Sequence, residues 1–218
     1  SPPVLLKDTK AIVYLKGTLF KLYKALKEGD LKRVANILEQ DVGATYKLLK
    51  FANSAMFRRI KKIGTLEEAI VRLGFDNIVK FVIILALSEM FVGEKEKEYW
   101  KKALYRASLS EKLAEIYAPG LKGKAHLVGL FSLSWQIFGQ EPKEIASQLG
   151  LDKEIQDALE RKPNELSFIL SLVELIEDST DSKVIEKVAK TLGITKQELH
   201  SIVEEAIKES RMVEEEFS

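Results

Sequence analysis

Residues 63–87 read IGTLEEAIVRLGFDNIVKFVIILAL, and this stretch decides the fold class. Thr65 and Glu68 are spaced as a capping box, in which each side chain accepts the backbone N–H of the other residue at a helix start. Gly74 is placed to end that helix, because glycine readily adopts the left-handed conformation found there. The segment that follows, residues 78–92, is apolar almost all round, which predicts a buried central helix.

The same helical pattern extends outward in both directions. Apolar residues recur with a period near 3.6, and almost no segment shows the alternation of a half-buried strand. Further glycines follow the apolar segments at Gly29, Gly93, Gly139, Gly150 and Gly193, where we expect left-handed helix ends. The sequence therefore predicts an all-α protein, an irregular bundle of about a dozen mostly short helices.

Composition narrows the function classes. The 34 basic and 33 acidic side chains nearly balance, which argues against nucleic-acid binding and against a general membrane-surface binder. The chain has no cysteine, which excludes disulfides and thiolate metal sites and fits a cytoplasmic location. The longest apolar run, residues 81–87, is too short to span a bilayer. The frequent use of Lys and Glu is typical of thermophile proteins.

The domain organisation follows from length and local polarity. A chain of 218 residues suits one large domain. We expect residues 1–16 to be a lead-in or linker and residues 17–218 to form a single helical domain. The polar stretch 177–182 is a candidate seam between subdomains.

Residues for catalysis or metal binding are scarce. His126 and His200 are the only histidines, and no motif with metal-ligand spacing contains them. The glycines are dispersed rather than clustered, so no phosphate-binding loop is present. Ser132 lies six residues from His126, which places the two on different faces of a helix. The sequence predicts no catalytic residue, no cofactor and no metal.

One local cluster of positive charge stands out between residues 57 and 62. A solvated loop between two helices is the simpler interpretation, and a patch for an acidic partner or a phosphate is the functional one. The cluster consists of Arg58, Arg59, Lys61 and Lys62.

Several blocks of the sequence resemble a known family, the HDOD group of degenerate HD domains. Residues 40–54 (QDVGATYKLLKFANS), residues 63–74 and the apolar helix after Asp76 follow its pattern in order and spacing. Arg106-Ala107 with Glu111, and residues 125–133 (AHLVGLFSL), are similar to the HDOD half of proteins that join an EAL domain to an HDOD domain. The resemblance covers about residues 17 to 210. It implies an HD-like helical core and a bacterial signalling role linked to cyclic di-GMP.

The resemblance also locates the metal ligands that a true HD phosphohydrolase would have. The His-Asp dyad would fall at Ser132 and Leu133, and the upstream histidine near Lys102 or Ala103. Leucine has no donor atom, and a neutral hydroxyl is a poor metal ligand. Without a metal no water is activated for attack on a phosphoester, so the chain is expected not to be an enzyme.

Three hypotheses remain open from the sequence. The first is a regulatory module that binds a signalling protein, or an EAL-type domain in cis or in trans. Its candidate surfaces are Asn53 with the basic cluster, and the Arg106 to Glu111 face. The structural alternatives are that Asn53 caps a helix end, and that Arg106 and Glu111 lie on different helix faces. The second hypothesis is a sensor that binds a nucleotide in the vacated HD cleft. The third is a residual phosphohydrolase that uses carboxylates alone.

Overall fold

The computed structural model describes residues 17–18, 20–22, 24–25, 28–40, 44–52, 65–88 and 93–217. In this part of the chain every regular element is helical and no strand occurs, which confirms the all-α prediction. The helices are α1 (Leu31–Glu39), α2 (Ala44–Ala52), α3 (Leu66–Ser88), α4 (Glu94–Tyr117), a 3-10 turn (Pro119–Leu121), α5 (Lys122–Phe131), α6 (Ser134–Phe138), α7 (Pro142–Gln148), α8 (Lys153–Leu159), α9 (Glu165–Asp178), α10 (Ser182–Leu192) and α11 (Lys196–Phe217).

Side chains cap the starts of several helices, whereas α4 to α8 begin without a side-chain cap. The N–H of Glu68 donates to Thr65 Oγ1 at 3.2 Å. At the start of α11 the N–H of Glu198 donates to Thr195 Oγ1 at 3.1 Å, and the N–H of Thr195 donates to Glu198 Oε1 at 3.4 Å. These bonds satisfy backbone N–H groups that have no partner inside the helix.

Five of the predicted glycine stops are left-handed, with φ near +70° at Gly29, Gly74, Gly139, Gly150 and Gly193. Gly74 lies within α3, which kinks there because its backbone (φ 73°, ψ 176°) is not helical. The prediction for Gly93 is wrong, since its φ is −103° and it precedes α4 as the N-cap. A left-handed residue that the glycine pattern missed is Arg161, with φ 67° after α8.

The described chain divides into two compact units. The first contains the described residues between Gly17 and Ser88 and those from Met212 to Phe217. Its core contains the second half of α3, where every residue from Ile78 to Leu87 is buried. This part of the predicted central helix is confirmed. Three rings meet in this unit, with centroid distances of 5.6 Å for Phe51–Phe81, 5.5 Å for Phe81–Phe217 and 6.1 Å for Phe51–Phe217.

The second unit consists of residues 93–211 and is built around α4, which packs most extensively against α5. Helix α11 is fixed to α4 by Glu209, whose carboxylate accepts bonds of 2.8 Å from both Ser108 Oγ and Lys112 Nζ. The stretch 177–182, predicted as a candidate seam, lies inside this unit, where it joins α9 to α10. The chain passes from the first unit to the second before Gly93 and returns to the first after Arg211.

In the part of the chain that the structure describes, no helix is both long enough and apolar enough to cross a bilayer.

Candidate functional site

A buried arginine holds the centre of the second unit. Arg106 lies midway along α4 and is only 6% exposed. Its Nε donates to Glu177 Oε2 at 3.0 Å and its Nη2 donates to Glu177 Oε1 at 2.9 Å. Its Nη1 donates to Ser132 Oγ at 3.1 Å. The planar guanidinium therefore binds the carboxylate with two parallel bonds and keeps a third donor for the hydroxyl.

Ser132 reaches Arg106 because a glycine lets α5 approach α4 closely. A Cβ atom built on Gly129 would lie 2.5 Å from the carbonyl oxygen of Arg106 and 2.8 Å from the amide nitrogen of Ala107. Only a residue without a side chain fits at this contact. Ser132 follows α5 by one residue, and its Oγ also donates to the Gly129 carbonyl at 2.7 Å. The hydroxyl is thus fixed between the two helices.

Glu177 brings α9 into the same cluster. It also accepts from Lys102 Nζ at 2.8 Å, one turn before Arg106 on α4. Burial by itself would raise the pKa of this carboxyl, yet the hydrogen bonds from Arg106 and Lys102 outweigh it and lower the pKa of Glu177 below its usual range. Burial, together with the charge of Glu177, raises the pKa of Tyr105 to about 12. Glu177 is therefore a charged, fully engaged carboxylate in the interior.

The positions that the resemblance assigned to metal ligands do lie together in space. Lys102 and Ser132 both belong to the cluster around Glu177, whereas Leu133 is buried and apolar. The residues do not fit a divalent cation, because two cationic side chains surround a carboxylate that they already neutralise. In the described part of the chain no group of three or more His, Asp or Glu side chains is placed to hold a metal.

Of the other predicted interaction residues, the structure describes only Glu111. Asn53, Arg58, Arg59, Lys61 and Lys62 lie outside the described residues. Glu111 is half-buried on α4, five residues after Arg106 and so about 140° around the helix.

The sequence predicted an interaction surface from Arg106 to Glu111, but the side chain of Arg106 is buried. Arg106 is engaged inside the second unit, so its guanidinium is not available for a partner.

Sequence reasoning missed Glu177 and Gly129. Glu177 was noted only as the start of a polar stretch, and its partner Arg106 lies 71 positions earlier in the chain. A usable signal was the pair Glu174 and Glu177, spaced by three residues near the end of a helix rich in Leu and Ile. Glu174 Oε2 also lies 3.9 Å from Arg106 Nη2, so both acids of that pair face the arginine.

Comparison with known families identifies the fold. The HDOD domain family matches residues 15–134, more than half of the chain. The chain belongs to the HDOD family. The matched residues include Arg106, Gly129 and Ser132, but Glu177 lies beyond the match.

Two curated proteins are similar to this HDOD chain. Uncharacterized protein YuxH of Bacillus subtilis (strain 168) is 35% identical over 152 residues, which cover 69% of this chain and 37% of YuxH. Cyclic di-GMP phosphodiesterase CdgJ of Vibrio cholerae (serotype O1, strain El Tor Inaba N16961) is 29% identical over 185 residues, which cover 84% of this chain and 42% of CdgJ. The HDOD chain therefore spans well under half the length of either relative.

Two solved structures share the HDOD chain's fold. A Shewanella amazonensis SB2B protein classed as a metal-dependent phosphohydrolase superposes with a TM-score of 0.67 at 14% identity, covering 100% of this chain and 93% of the other. A Marinobacter aquaeolei VT8 protein classed in signal transduction superposes with a TM-score of 0.52 at 17% identity, covering 84% and 53%. At such low identity the likeness concerns the fold alone.

Proposed function

We propose that this HDOD domain is a non-catalytic signal-transduction module that acts by binding another protein, in a pathway linked to cyclic di-GMP. The family match supports a signalling role, as does the similarity to a cyclic di-GMP phosphodiesterase of Vibrio cholerae. Its partner is a signalling protein or an EAL-type domain, in cis or in trans.

The observation that carries the non-catalytic part is the Arg106–Glu177–Ser132 cluster. An HD phosphohydrolase needs carboxylate and imidazole ligands around a metal that activates water. Here a guanidinium and an ammonium group converge on a single carboxylate. A divalent cation would meet like charge from Arg106 and Lys102, and it would have to displace both from Glu177. The cluster supports a structural role, in which an ion pair joins α4 to α9.

The proposal that the domain binds another protein rests on its folded helical surface and on the predicted basic cluster. The described helices bury a continuous series of apolar residues, so the domain can present a fixed surface to a partner. The basic cluster of Arg58, Arg59, Lys61 and Lys62 remains the surface that the sequence predicts. An acidic protein surface is the partner that this cluster would recognise.

Two assays on the purified chain test the non-catalytic part. Metal content is measured after growth with iron, manganese and zinc, and hydrolysis of cyclic di-GMP and bis-p-nitrophenyl phosphate is followed with each metal added. We expect less than stoichiometric metal and no turnover above the buffer rate. Metal-dependent turnover that survives in Ser132→Ala and is abolished by a chelator would overturn this part of the proposal.

A capture experiment tests the interaction part. The tagged chain and a variant with all four basic positions changed to Glu are used as baits in lysate of the native host, read by mass spectrometry. We expect a specific partner with the wild-type bait and its loss from the variant. If neither bait retains a protein but cyclic di-GMP stabilises the fold, the ligand-sensor hypothesis replaces this one. Ligand at ~100 times its dissociation constant should add roughly 2.7 kcal/mol.

A further inference from the structure

The outer face of α9 carries a stripe with apolar residues at its centre and acids at its ends. Five exposed positions follow one another at spacings of three or four, which puts them on one side of the helix. These residues, named here the α9 stripe, are Glu165, Phe168, Ser171, Leu175 and Asp178. Phe168 is 37% exposed and Leu175 is 47% exposed, although both are large apolar side chains.

The end of α4 widens the apolar centre of the stripe. The ring of Tyr117 lies 5.1 Å from that of Phe168, centroid to centroid, and Tyr117 is 43% exposed. Arg106 contacts Glu177 near the other end of α9, so the two helices run antiparallel. Tyr117 and Phe168 thus form an exposed pair, and Leu175 lies two turns further along the same face of α9, beyond Ser171. Grouped apolar surface of this kind marks an interaction site.

The charges at the two ends of the stripe are available for a partner. Among the residues that the structure describes, the side-chain carboxylates of Glu165 and Asp178 take part in no ion pair or hydrogen bond. Neighbouring cations are already engaged with other acids: Arg161 pairs with Glu174, and Lys122 lies 3.8 Å from Glu115. The two free acids lie about 20 Å apart along the helix axis, at 1.5 Å per residue.

We propose that the α9 stripe binds an amphipathic helix of a partner protein that has apolar residues at its centre and Lys or Arg at both ends. This inference rests on the proposed function as an interaction module and assigns it a surface and a partner chemistry. A helix of about four turns would cover the apolar centre and bring a cation to each acid. A second copy of the same stripe fits poorly, because acidic ends would meet acidic ends.

Two synthetic helical peptides serve as probes for the charge requirement. Both carry the same central leucine stripe, and their ends are either Lys or Glu. Binding is measured by fluorescence anisotropy at low salt. We expect the Lys-ended peptide to bind at least tenfold more tightly, and Glu165→Lys with Asp178→Lys to abolish that preference. Equal binding of the two peptides, or no binding of either, overturns the proposal.

The surface is tested with Leu175→Arg and its matched control Val71→Arg. Val71 is 66% exposed on α3, so both changes put a cation on an exposed apolar position without disturbing a core. Circular dichroism and thermal melting check that both variants fold. Leu175→Arg should weaken binding of the Lys-ended peptide at least tenfold, and Val71→Arg should leave it unchanged. Equal affinity in the two variants overturns the assignment.

Further experimental outcomes distinguish failure of the α9 stripe as the binding surface from failure of the proposed function. If wild-type bait captures a partner from native lysate and the Leu175→Arg bait retains it, the stripe is not the surface, although the proposed function stands. If no bait captures a partner, the proposed function itself fails. A dimer in sedimentation equilibrium that Leu175→Arg dissociates would identify a second copy as the occupant and overturn the partner chemistry.

Discussion

Two half-buried glutamates, one in each compact unit, show how the surroundings decide whether the same side chain is charged. Glu177 in the second unit accepts bonds from Arg106 and Lys102, and the pKa of its carboxyl is lowered. Glu216 in the first unit has a buried Oε2 that accepts no hydrogen bond from the described residues. Burial raises the pKa of Glu216 to about 7, even though Lys50 attracts its charge.

The comparison shows that burial alone does not decide whether a carboxyl group is charged. Both carboxyls lose water, which disfavours the ionised form. At Glu177 the bidentate guanidinium of Arg106 and the ammonium group of Lys102 replace the lost water. The resulting ion pairs join α4 to α9. At Glu216 the attraction of Lys50 compensates only in part for the lost water, so the neutral form of the carboxyl is favoured. A buried acid therefore becomes a structural link only when donors are built around it.

The largest effect is expected when the donors at Glu177 are removed. Arg106→Met keeps much of the side-chain volume but leaves the buried carboxylate with Lys102 alone. Breaking one side of a buried ion pair costs about 3–5 kcal/mol of unfolding free energy. Urea denaturation of the purified domain measures this loss.

A double variant and a surface pair provide the controls for that measurement. Arg106→Met with Glu177→Leu should recover most of the lost stability, since neither buried charge then remains. Lys101→Ala, in the exposed pair with Glu98, should cost less than about 1 kcal/mol. A loss at Arg106→Met as small as that at Lys101→Ala would show that the cluster contributes little.

A smaller effect is expected from changing the close approach that positions Ser132. Gly129→Ala puts a methyl group 2.5 Å from the Arg106 carbonyl oxygen, so α4 and α5 must separate. Overpacking of this kind costs about 1–3 kcal/mol. Gly120→Ala is the matched control, because a Cβ there meets nothing within 4 Å. Equal melting temperatures for the two variants would contradict the packing argument.

The smallest effect is expected at Glu216, and it depends on pH. The pKa of about 7 in the folded chain is above that of an unfolded glutamate, so the folded state holds its proton more tightly. This contribution to stability is complete at acidic pH and is lost as pH rises from the unfolded pKa through about 7. We expect Glu216→Gln to melt a few degrees above wild type at pH 8, with the difference reduced at pH 5.

Glu204, exposed earlier on the same helix, gives the matched control, because Glu215 contributes to the raised pKa of Glu216. Glu204→Gln removes a carboxylate without relieving a half-buried carboxyl, so its melting temperature should follow that of wild type across the same pH range. If both variants change alike, net charge rather than burial of Glu216 is the cause.

Much of the fold could be predicted because its signals are local. Capping pairs such as Thr65 with Glu68 act over three residues, and the left-handed glycines lie where the helical pattern ends. The buried run from Ile78 to Leu87 follows from its apolar character. Gly93 was misread because the residue preceding a helix and the residue ending one are both common glycine positions.

The ion cluster was beyond such reasoning. In the sequence, Arg106 is one of several charged residues on a lysine-rich helix. Its partner Glu177 lies on α9, 71 positions later in the chain. A sequence period shows which face of a helix is apolar, but it does not show which helix packs there. The partner chosen by packing decides whether a charge is buried with donors or exposed to water.

The sequence by itself therefore determined the helical class, the helix ends and the absence of imidazole or carboxylate at the positions of an HD dyad. Tertiary structure alone decided that Arg106, Ser132 and Glu177 form one cluster, because that depends on α4, α5 and α9 packing together around Arg106. It also decided that Glu177 stays charged while Glu216 holds its proton more tightly. The physical reason is that capping and periodicity act within a few residues, whereas desolvation and charge pairing depend on neighbours brought together only by folding.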